Sequence, residues 1–314
     1  MFQKKSGVFR ERTVTFIDGL GECDLRDTFE CGQAFRYEQT VSEEGYVEYT
    51  ATAYGKVINV GQRKRGELIF FDEWTEEYEK TVSHYFAFDT DFEAIRRDVI
   101  SHTDSEWLKE AAESAKGIII LRGEPWETLL SFIISQNNNI PRIRKIIRSI
   151  SLEYGENLAV GHLSKCPVSG REIDAEACRN CGICYSFPTP DSILSNPEGL
   201  LPSHPGFRYK YMLDAAEKVN SGAVSLKNIA DKGSYEYTLE ELKKILGVGD
   251  KVASCVALFG FSNLEAFPID VWMKRAIDTY FDGKLDPKSL GSYAGVAQQY
   301  IFHYIRNLSD EKGR

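Results

Sequence analysis

Residues 242–261 combine a glycine-containing turn with a lysine that follows it closely. The turn is Leu246-Gly247-Val248-Gly249, Lys251 lies two residues beyond it, and helical spacing is found on both sides. Glycines allow a tight turn between helices, and the exposed backbone N–H groups can bind phosphate together with the next helix N-terminus. This is the helix–hairpin–helix pattern of DNA contact without sequence readout. An ordinary glycine turn between helices is the alternative.

Lys251 and Asp270 are the side chains near this turn that could do covalent chemistry. A lysine amine at the start of a helix can act as a nucleophile, although an exposed lysine that only touches phosphate is the more ordinary interpretation. Asp270 lies 19 residues later and directly precedes a helical pattern. It could cap that helix, and a carboxylate held in this way could also stabilise positive charge developing on a sugar.

Four of the seven cysteines form a cluster with the spacing of a metal site. They are Cys166, Cys178, Cys181 and Cys184, in the pattern C-x11-C-x2-C-x2-C. Four thiolates suit tetrahedral zinc, and a C-x2-C-x2-C run can also hold an iron–sulfur cluster. We favour structural zinc over the cluster, and reduced thiols or a disulfide remain as further alternatives.

The elements that position these residues fall into two regions. Residues 1–90 are rich in Tyr, Phe, Val and Thr and indicate an antiparallel sheet domain, whereas residues 91–314 show helical spacing. We expect the helix–hairpin–helix motif at about residues 240–260 of this helical domain and the cysteine-rich insertion at about residues 155–188. The predicted fold class is α+β, with an N-terminal antiparallel β-sheet domain followed by a helical body.

Individual elements follow from the same patterns. Strands are predicted at Phe9–Phe16, Tyr46–Tyr54, Lys56–Val60 and Glu67–Phe71. Helices are predicted at Pro125–Gln136, Ile140–Leu152, Tyr211–Val219, Tyr237–Leu246, Val252–Phe259, Val271–Phe281 and Gly295–Ile305.

Composition excludes several classes of protein. With 314 residues, 42% hydrophobic and 27% charged, the chain is neither low-complexity nor disordered. Its longest apolar run, 118–121, is too short to cross a membrane. The first residues lack the apolar segment of a secretory signal. We therefore expect an intracellular protein, cytoplasmic in a prokaryote or nuclear in a eukaryote.

The net charge of −9 argues only weakly against a nucleic-acid partner. A dense basic patch is formed by Arg142, Arg144, Lys145 and Arg148. Because DNA affinity depends on the local field at the contacting surface, such a patch can bind phosphates on an acidic protein.

Several stretches resemble 8-oxoguanine DNA glycosylases, which belong to the helix–hairpin–helix superfamily of glycosylases and have lyase activity. Besides the turn with Lys251 and Asp270, they are 32–36 (GQAFR), 121–127 (LRGEPWE), 135–143 (SQNNNIPRI) and 293–298 (YAGVAQ). The resemblance runs in order from about residue 8 to residue 306. It implies a sheet domain followed by a helical body.

The resemblance implies roles for six residues at the damaged nucleotide, which must leave the base stack. Lys251 matches the nucleophile that attacks the sugar C1′ and forms a Schiff base, and Asp270 matches the carboxylate that supports this step. The base-binding positions are Gly32, Cys255, Gln298 and Phe302. Cys255 and Phe302 would sandwich the base, and Gln298 would read its Watson–Crick edge. The carbonyl of Gly32 would accept the N7–H that guanine lacks.

The resemblance also implies residues that hold the duplex. Asn137, Arg142 and Arg208 match positions around the unpaired cytosine, and Phe207 matches an aromatic wedge. In the hairpin, Gly247 and Gly249 would bind the DNA backbone.

Three positions depart from the family pattern. Leu246 stands where a proline usually precedes the hairpin glycine, Trp272 replaces a histidine, and Ala34 replaces a small polar residue. The tryptophan puts a contact near the phosphate or the nucleophile in doubt, but no catalytic group is missing.

The resulting hypothesis is a DNA repair enzyme that excises 8-oxoguanine opposite cytosine and cleaves the strand by β-elimination. Its partner would be double-stranded DNA containing oxidised guanine, its catalysis would need no cofactor, and we expect a monomer without membrane contact. One alternative is a helix–hairpin–helix glycosylase for another damaged base. The other is a non-catalytic DNA-binding module, which would need neither Lys251 nor Asp270.

Overall fold

The N-terminal part of the chain forms an antiparallel sheet. The computed structural model describes residues 2–159, 166 and 182–312, and the side chains of residues 2–308 within them. The strands are β1 (Gln3–Phe9), β2 (Arg12–Asp18), β3 (Tyr37–Glu43), β4 (Tyr46–Ala53), β5 (Lys56–Gln62) and β6 (Glu67–Phe70). They form one six-stranded sheet in the order β1-β2-β6-β5-β4-β3, so β1 and β3 are its edges.

Two strand predictions are corrected. The single strand predicted at Phe9–Phe16 is wrong, because Arg10 and Glu11 adopt φ values of 51° and 63° and turn the chain between β1 and β2. Strand β3 was not predicted, since its sequence YEQTVSE is mostly polar. As an edge strand it has a neighbour on one side only, and polar residues are tolerated at such an edge.

Two helices pack on the sheet and form its core. They are α1 (Leu25–Glu30) and α2 (Glu76–Tyr85). Phe29 of α1 stacks on Tyr49 of β4 with ring centroids 5.1 Å apart. Ile119 and Leu121 are buried in the same apolar cluster, although they lie beyond residue 90. The chain therefore returns to the sheet before the helical body begins, and the domain boundary at residue 90 stays a prediction.

The helical body contains all seven predicted helices. Its helices are α3 (Phe92–Ser101), α4 (Glu106–Ser114), α5 (Pro125–Ser135), α6 (Ile140–Tyr154), α7 (Pro190–Ser195), α8 (Tyr209–Asn220), α9 (Leu226–Lys232), α10 (Tyr235–Leu242), α11 (Asp250–Phe261), α12 (Val271–Tyr280) and α13 (Ala294–Lys312). Helix α10 ends four residues before its predicted end at Leu246, and α13 extends beyond Ile305. Within the part of the chain that the structure describes, no helix is long and apolar enough to span a membrane.

Helix α11 lies at the centre of this body. All eight residues from 252 to 259 are buried. Phe259 of α11 stacks on Phe132 of α5, with centroids 5.5 Å apart and ring planes inclined by 14°. Burial of apolar surface on every side of a helix stabilises it strongly and leaves it little freedom to move.

The two ends of the predicted insertion are paired with each other. Leu158 N–H donates to the carbonyl of Cys184 and Ser186 N–H to that of Glu156, both at 2.8 Å. The guanidinium of Arg36 bonds the carbonyl of Tyr185. The insertion is thereby joined to the sheet beside β3.

Candidate active site

A cleft of about 410 Å³ opens between the loop after α1 and helices α5, α11, α12 and α13. It brings together all six residues expected at the damaged nucleotide: Gly32, Lys251, Cys255, Asp270, Gln298 and Phe302. These residues come from four separate segments of the chain. The cleft is also lined by Asn138, Trp272 and Gln299, which the sequence did not single out as binding residues.

The hairpin before α11 depends on one glycine conformation. Gly247 has φ of 77°, a value that residues with a Cβ rarely adopt. A Cβ at Gly247 would also lie 2.5 Å from Cδ2 of Tyr211. The turn is held from outside, since the N–H of Leu246 donates to Asp214 Oδ2 at 2.6 Å.

The same hairpin leaves backbone donors for a ligand. The N–H groups of Gly247 and Gly249 have no hydrogen-bond partner among the described residues, in contrast to Val248, which donates to the Ile245 carbonyl at 3.1 Å. Nothing lies within 4 Å of the position of a Cβ at Gly249. Open space beside unpaired N–H groups at a helix N-terminus is suited to a phosphate.

Lys251 lies in the first turn of α11 and faces the cleft. Its Nζ is 5.3 Å from the ring centroid of Phe132, which is a cation–π distance. The side chain is half-buried, whereas the next turns of the helix are fully buried. The amine is therefore held against an apolar wall but remains open to a molecule in the cleft.

Asp270 is the N-cap residue of α12. It accepts the N–H of Met273 at 2.8 Å, which confirms the capping interpretation of its position. It also lines the cleft with Lys251, so capping and catalysis remain compatible. The cap bond restricts the carboxylate to one orientation.

Cys255 lies one turn after Lys251 on α11 and is buried. Burial raises the pKa of its thiol to about 11, although the nearby Lys251 ammonium acts in the opposite direction. The side chain is therefore a neutral thiol at physiological pH. With the ring of Phe302 on α13 it provides two apolar surfaces in the cleft.

Gly32 is fixed by the side chain of its neighbour. Its φ is 85°, and an added Cβ would lie 3.6 Å from Cε1 of Phe302, so it sits beside that ring. The amide of Gln33 donates to the carbonyls of Thr28 and Ile119 and accepts the N–H of Leu121, each at 2.8 Å. Two of these bonds tie the loop to segment 119–121, which packs in the sheet cluster, and all three hold Gly32 at the cleft.

Gln298 and Gln299 are adjacent on α13 and both are buried, at 3% and 4% exposure. Nε2 of Gln299 donates to Oε1 of Gln298 at 2.7 Å. Only Gln298 was expected at the site. The signal for its neighbour is a second polar residue within the apolar sequence GVAQQYIF.

The four residues expected at the partner base are grouped outside the cleft, around the α5–α6 turn. Asn137 has φ of 48°, and Phe207 is exposed, at 48%. Arg208 is buried, at 3%, and donates to the carbonyls of Gln136 and Asn137 at 2.8 Å. Arg142 lies nearby and bonds the His204 carbonyl at 3.4 Å. The structure therefore brings these residues together but directs Arg208 to the backbone.

The metal prediction concerns residues that the structure describes only in part. Cys166 and Cys184 are buried, whereas Cys178 and Cys181 lie outside the described residues. Within the described ranges, no group of three or more His, Cys, Asp or Glu side chains could hold a metal ion. The four-cysteine site thus stays a prediction.

Comparison with known proteins identifies similar proteins over nearly the whole chain. Residues 18–129 match the family described as 8-oxoguanine DNA glycosylase, N-terminal domain. The N-glycosylase/DNA lyase of Saccharomyces cerevisiae is 29% identical over 282 residues, which are 81% of this chain and 67% of that protein.

Two solved structures are similar along their full length. The structure of MBOgg1 in complex with a low-affinity DNA ligand is 32% identical, with a TM-score of 0.79 over 97% of this chain and 99% of that one. The Clostridium acetobutylicum 8-oxoguanine glycosylase/lyase, in complex with dsDNA containing cytosine opposite to 8-oxoG, is 31% identical. It has a TM-score of 0.79 over 98% of both chains.

Substitution of the two hairpin glycines should have different effects. Gly247→Ala combines a positive φ with the Tyr211 contact, so it should lower the free energy of unfolding by about 1–3 kcal/mol. Gly249→Ala meets nothing within 4 Å and should cost less, up to about 1 kcal/mol from the weaker N-cap, yet its methyl group would stand where a phosphate approaches. Thermal unfolding and fluorescence anisotropy with a DNA duplex measure both effects. Equal stability of the two variants would contradict this account of the hairpin.

Proposed function

The chain belongs to the family of 8-oxoguanine DNA glycosylases, and we propose that it excises 8-oxoguanine opposite cytosine from double-stranded DNA and then cleaves the strand as a lyase. The observation that carries this proposal is the cleft, where an amine, a carboxylate, a thiol, an aromatic ring and a buried amide converge. Binding of DNA alone would require only the hairpin and the basic surface residues.

The cleft has the chemistry needed to hold an extruded base. Cys255 and Phe302 offer flat, apolar contact on two sides, and Gln298 offers both a donor and an acceptor to the Watson–Crick edge. Gly32 lies beside the Phe302 ring, and its backbone carbonyl would be the acceptor for the base. In 8-oxoguanine N7 carries a proton, whereas in guanine it carries a lone pair, so this carbonyl would accept a bond from one base and repel the other.

The glycosylase step uses the amine of Lys251. In its neutral form, Nζ donates its electron pair to C1′ of the sugar as the C1′–N9 bond breaks. The base leaves with that bonding pair and takes up a proton. Asp270 places a negative charge near C1′, where positive charge develops in the transition state. Its cap bond to α12 keeps the carboxylate in position during the reaction.

The lyase step follows from the covalent intermediate. The attached nitrogen loses a proton, the C1′–O4′ bond opens with protonation of O4′, and a protonated Schiff base remains. Loss of a proton from C2′ then breaks the C3′–O3′ bond and expels the 3′ phosphate. Water hydrolyses the Schiff base and restores the free lysine.

The duplex would be held at two surfaces. The unpaired N–H groups of Gly247 and Gly249 fit a backbone phosphate of the damaged strand. Near the α5–α6 turn, the exposed ring of Phe207 can insert beside the base left without a partner. Asn137, Arg142 and Arg208 lie around that position and supply donors for the O2 and N3 acceptors of cytosine.

One chain supplies all the cleft residues, so we infer that the protein acts as a monomer. An enzyme with a genomic DNA substrate acts in the compartment that contains the DNA. This compartment is the cytoplasm of a prokaryote or the nucleus of a eukaryote.

Borohydride trapping tests the nucleophile and the substrate together. Wild-type protein should form a covalent adduct with a duplex that carries 8-oxoguanine opposite cytosine, because borohydride reduces the Schiff base to a stable amine. Lys251→Gln should bind the same duplex but form no adduct and excise no base. Lys244→Gln, which changes an exposed lysine paired with Glu241 before the hairpin, is the matched control and should react like wild type.

The outcome distinguishes the alternative functions. Adducts only with duplexes that carry an oxidised pyrimidine or an alkylated purine would indicate a glycosylase for another base. Binding without any adduct or excision would indicate a DNA-binding module. Strand cleavage retained by Lys251→Gln would exclude this lysine as the nucleophile.

Substitution of Asp270 separates capping from catalysis. Asn is as good an N-cap as Asp, so Asp270→Asn should keep the free energy of unfolding within about 0.5 kcal/mol. It should reduce single-turnover excision about 100-fold or more, because the negative charge is lost. Asp270→Ala should lose both activity and stability. Wild-type excision rates in Asp270→Asn would show that the residue is only a cap.

We also propose that Cys166, Cys178, Cys181 and Cys184 bind one structural zinc ion. The proposal is supported by the spacing of the four residues and by the burial of the first and the last of them. A metal would stabilise a segment whose two ends are paired at the sheet. Catalysis requires no contribution from this ion.

Metal analysis tests the zinc site. Wild-type protein should contain about one zinc per chain, and Cys184→Ser should lose it and melt at a lower temperature. Cys23→Ser, a buried cysteine outside the cluster, is the control and should keep the metal. Iron with visible absorbance would instead indicate an iron–sulfur cluster, and metal-free wild type would refute both.

A further inference from the structure

Helix α13 buries two neighbouring amides in an otherwise apolar segment. Val296, Ala297, Tyr300 and Ile301 are at most 1% exposed. Gln298 and Gln299 lie between them and are nearly as buried. Polar groups removed from water cost folding free energy unless they are hydrogen-bonded. Two adjacent glutamines here therefore need an explanation beyond packing.

The two amides are only partly satisfied by each other. Gln299 Nε2 donates to Gln298 Oε1 at 2.7 Å. Oε1 of Gln299 is buried and has no hydrogen-bond partner among the described residues. Both side chains line the cleft, so the pair lies where the extruded base would be read.

A single glutamine is ambiguous as a reader of a base edge. Rotation of its amide by 180° exchanges the oxygen and the nitrogen with almost no change in shape. One orientation matches the guanine-type edge, in which O6 accepts and N1–H donates. The other orientation matches the adenine-type edge, in which N6–H donates and N1 accepts.

We propose that Gln299 is a specificity-determining residue that fixes the amide orientation of Gln298. Its N–H holds the Gln298 carbonyl, so the carbonyl and the amino group of Gln298 each face a fixed position of the base edge. The pair then accepts the guanine-type edge of 8-oxoguanine and rejects the adenine-type edge of 8-oxoadenine. This inference rests on the proposed function and on Gln298 as the reader of that edge.

The unpaired oxygen of Gln299 explains why the two amides do not both turn by 180°. If both amides turned, the amino group of Gln299 would occupy the buried position that its carbonyl now holds. Both N–H groups of Gln299 would then be unpaired, whereas at present its oxygen and one N–H are unpaired among the described residues. Buried orphan donors are rarer and more costly than under-satisfied carbonyls, so the observed orientation is favoured.

The test compares lesion preference in variants of Gln299. Affinity is measured for duplexes that carry 8-oxoguanine or 8-oxoadenine opposite cytosine. Two proteins are compared: Lys251→Gln, which does not turn over, and the double variant that also carries Gln299→Met. Methionine has nearly the same shape as glutamine but cannot donate. The preference for 8-oxoguanine should fall about tenfold. A merely structural role would weaken both affinities equally, and an unchanged ratio would overturn the inference.

A second variant restores the donor by pH. In Gln299→Glu the side chain donates when protonated and only accepts when ionised. At low pH, the preference for 8-oxoguanine over 8-oxoadenine should therefore be close to that of the protein with Gln299 unchanged. It should fall below that of Gln299→Met at high pH, because the carboxylate then draws the Gln298 amino group towards itself. A ratio independent of pH, or one that changes in the opposite direction, would contradict the proposed hydrogen bond.

The proposed function and this inference fail in different ways. If wild-type protein forms no trapped adduct with 8-oxoguanine, the proposed function is refuted and the inference with it. If wild type is trapped and Gln299→Met keeps its lesion preference, only the role of Gln299 is refuted.

Discussion

The burial of helix α11 on all sides is the constraint on which the site depends. Its residues from 252 to 259 are all inside the protein, and Phe259 is stacked on Phe132 of α5. The helix therefore cannot rotate or slide without loss of packing. Lys251 and Cys255, one turn apart, are presented to the cleft from this fixed axis. The hairpin glycines that begin the helix are placed by the same constraint.

Bonds that stabilise the fold also orient the site. The cap bond of Asp270 begins α12 and at the same time directs a carboxylate into the cleft. Gln33 ties the loop after α1 to that helix and to segment 119–121 through three backbone bonds and so places Gly32 beside Phe302. Because these bonds form on folding, the site needs little reorganisation when a base enters, which favours catalysis by preorganised groups.

Local patterns in the sequence were sufficient for much of the fold, whereas the roles expected of Lys251 and Asp270 came from the family resemblance. The helices, the hairpin and the spacing of Lys251 and Asp270 depend on residues close to one another in the chain. The break between β1 and β2 was missed because Arg10 and Glu11 carry no glycine signal for their positive φ values. The polar pair within GVAQQYIF marks Gln299, but its bond to Gln298 could not be predicted, because the cleft that both residues line is assembled from distant segments.

The contacts of Arg208 could not be predicted from the sequence, because they arise only from tertiary structure. Its sequence position indicates an arginine near the partner base, and the structure places it beside Asn137 and Arg142. Its guanidinium, however, donates to the carbonyls of Gln136, Asn137 and Pro205. Burial, followed by the charge of the nearby Arg142, lowers the pKa of this guanidinium.

These carbonyl bonds belong to the turn that holds Asn137 in its left-handed conformation. A cytosine that took donors from Arg208 would have to compensate for carbonyls left unpaired in a buried place. If Arg208 binds the partner base as proposed, it would link recognition of that base to the conformation of the α5–α6 turn. Since α5 also packs on α11 through Phe132, the surface proposed for the partner base and the cleft proposed for the damaged base share this helix.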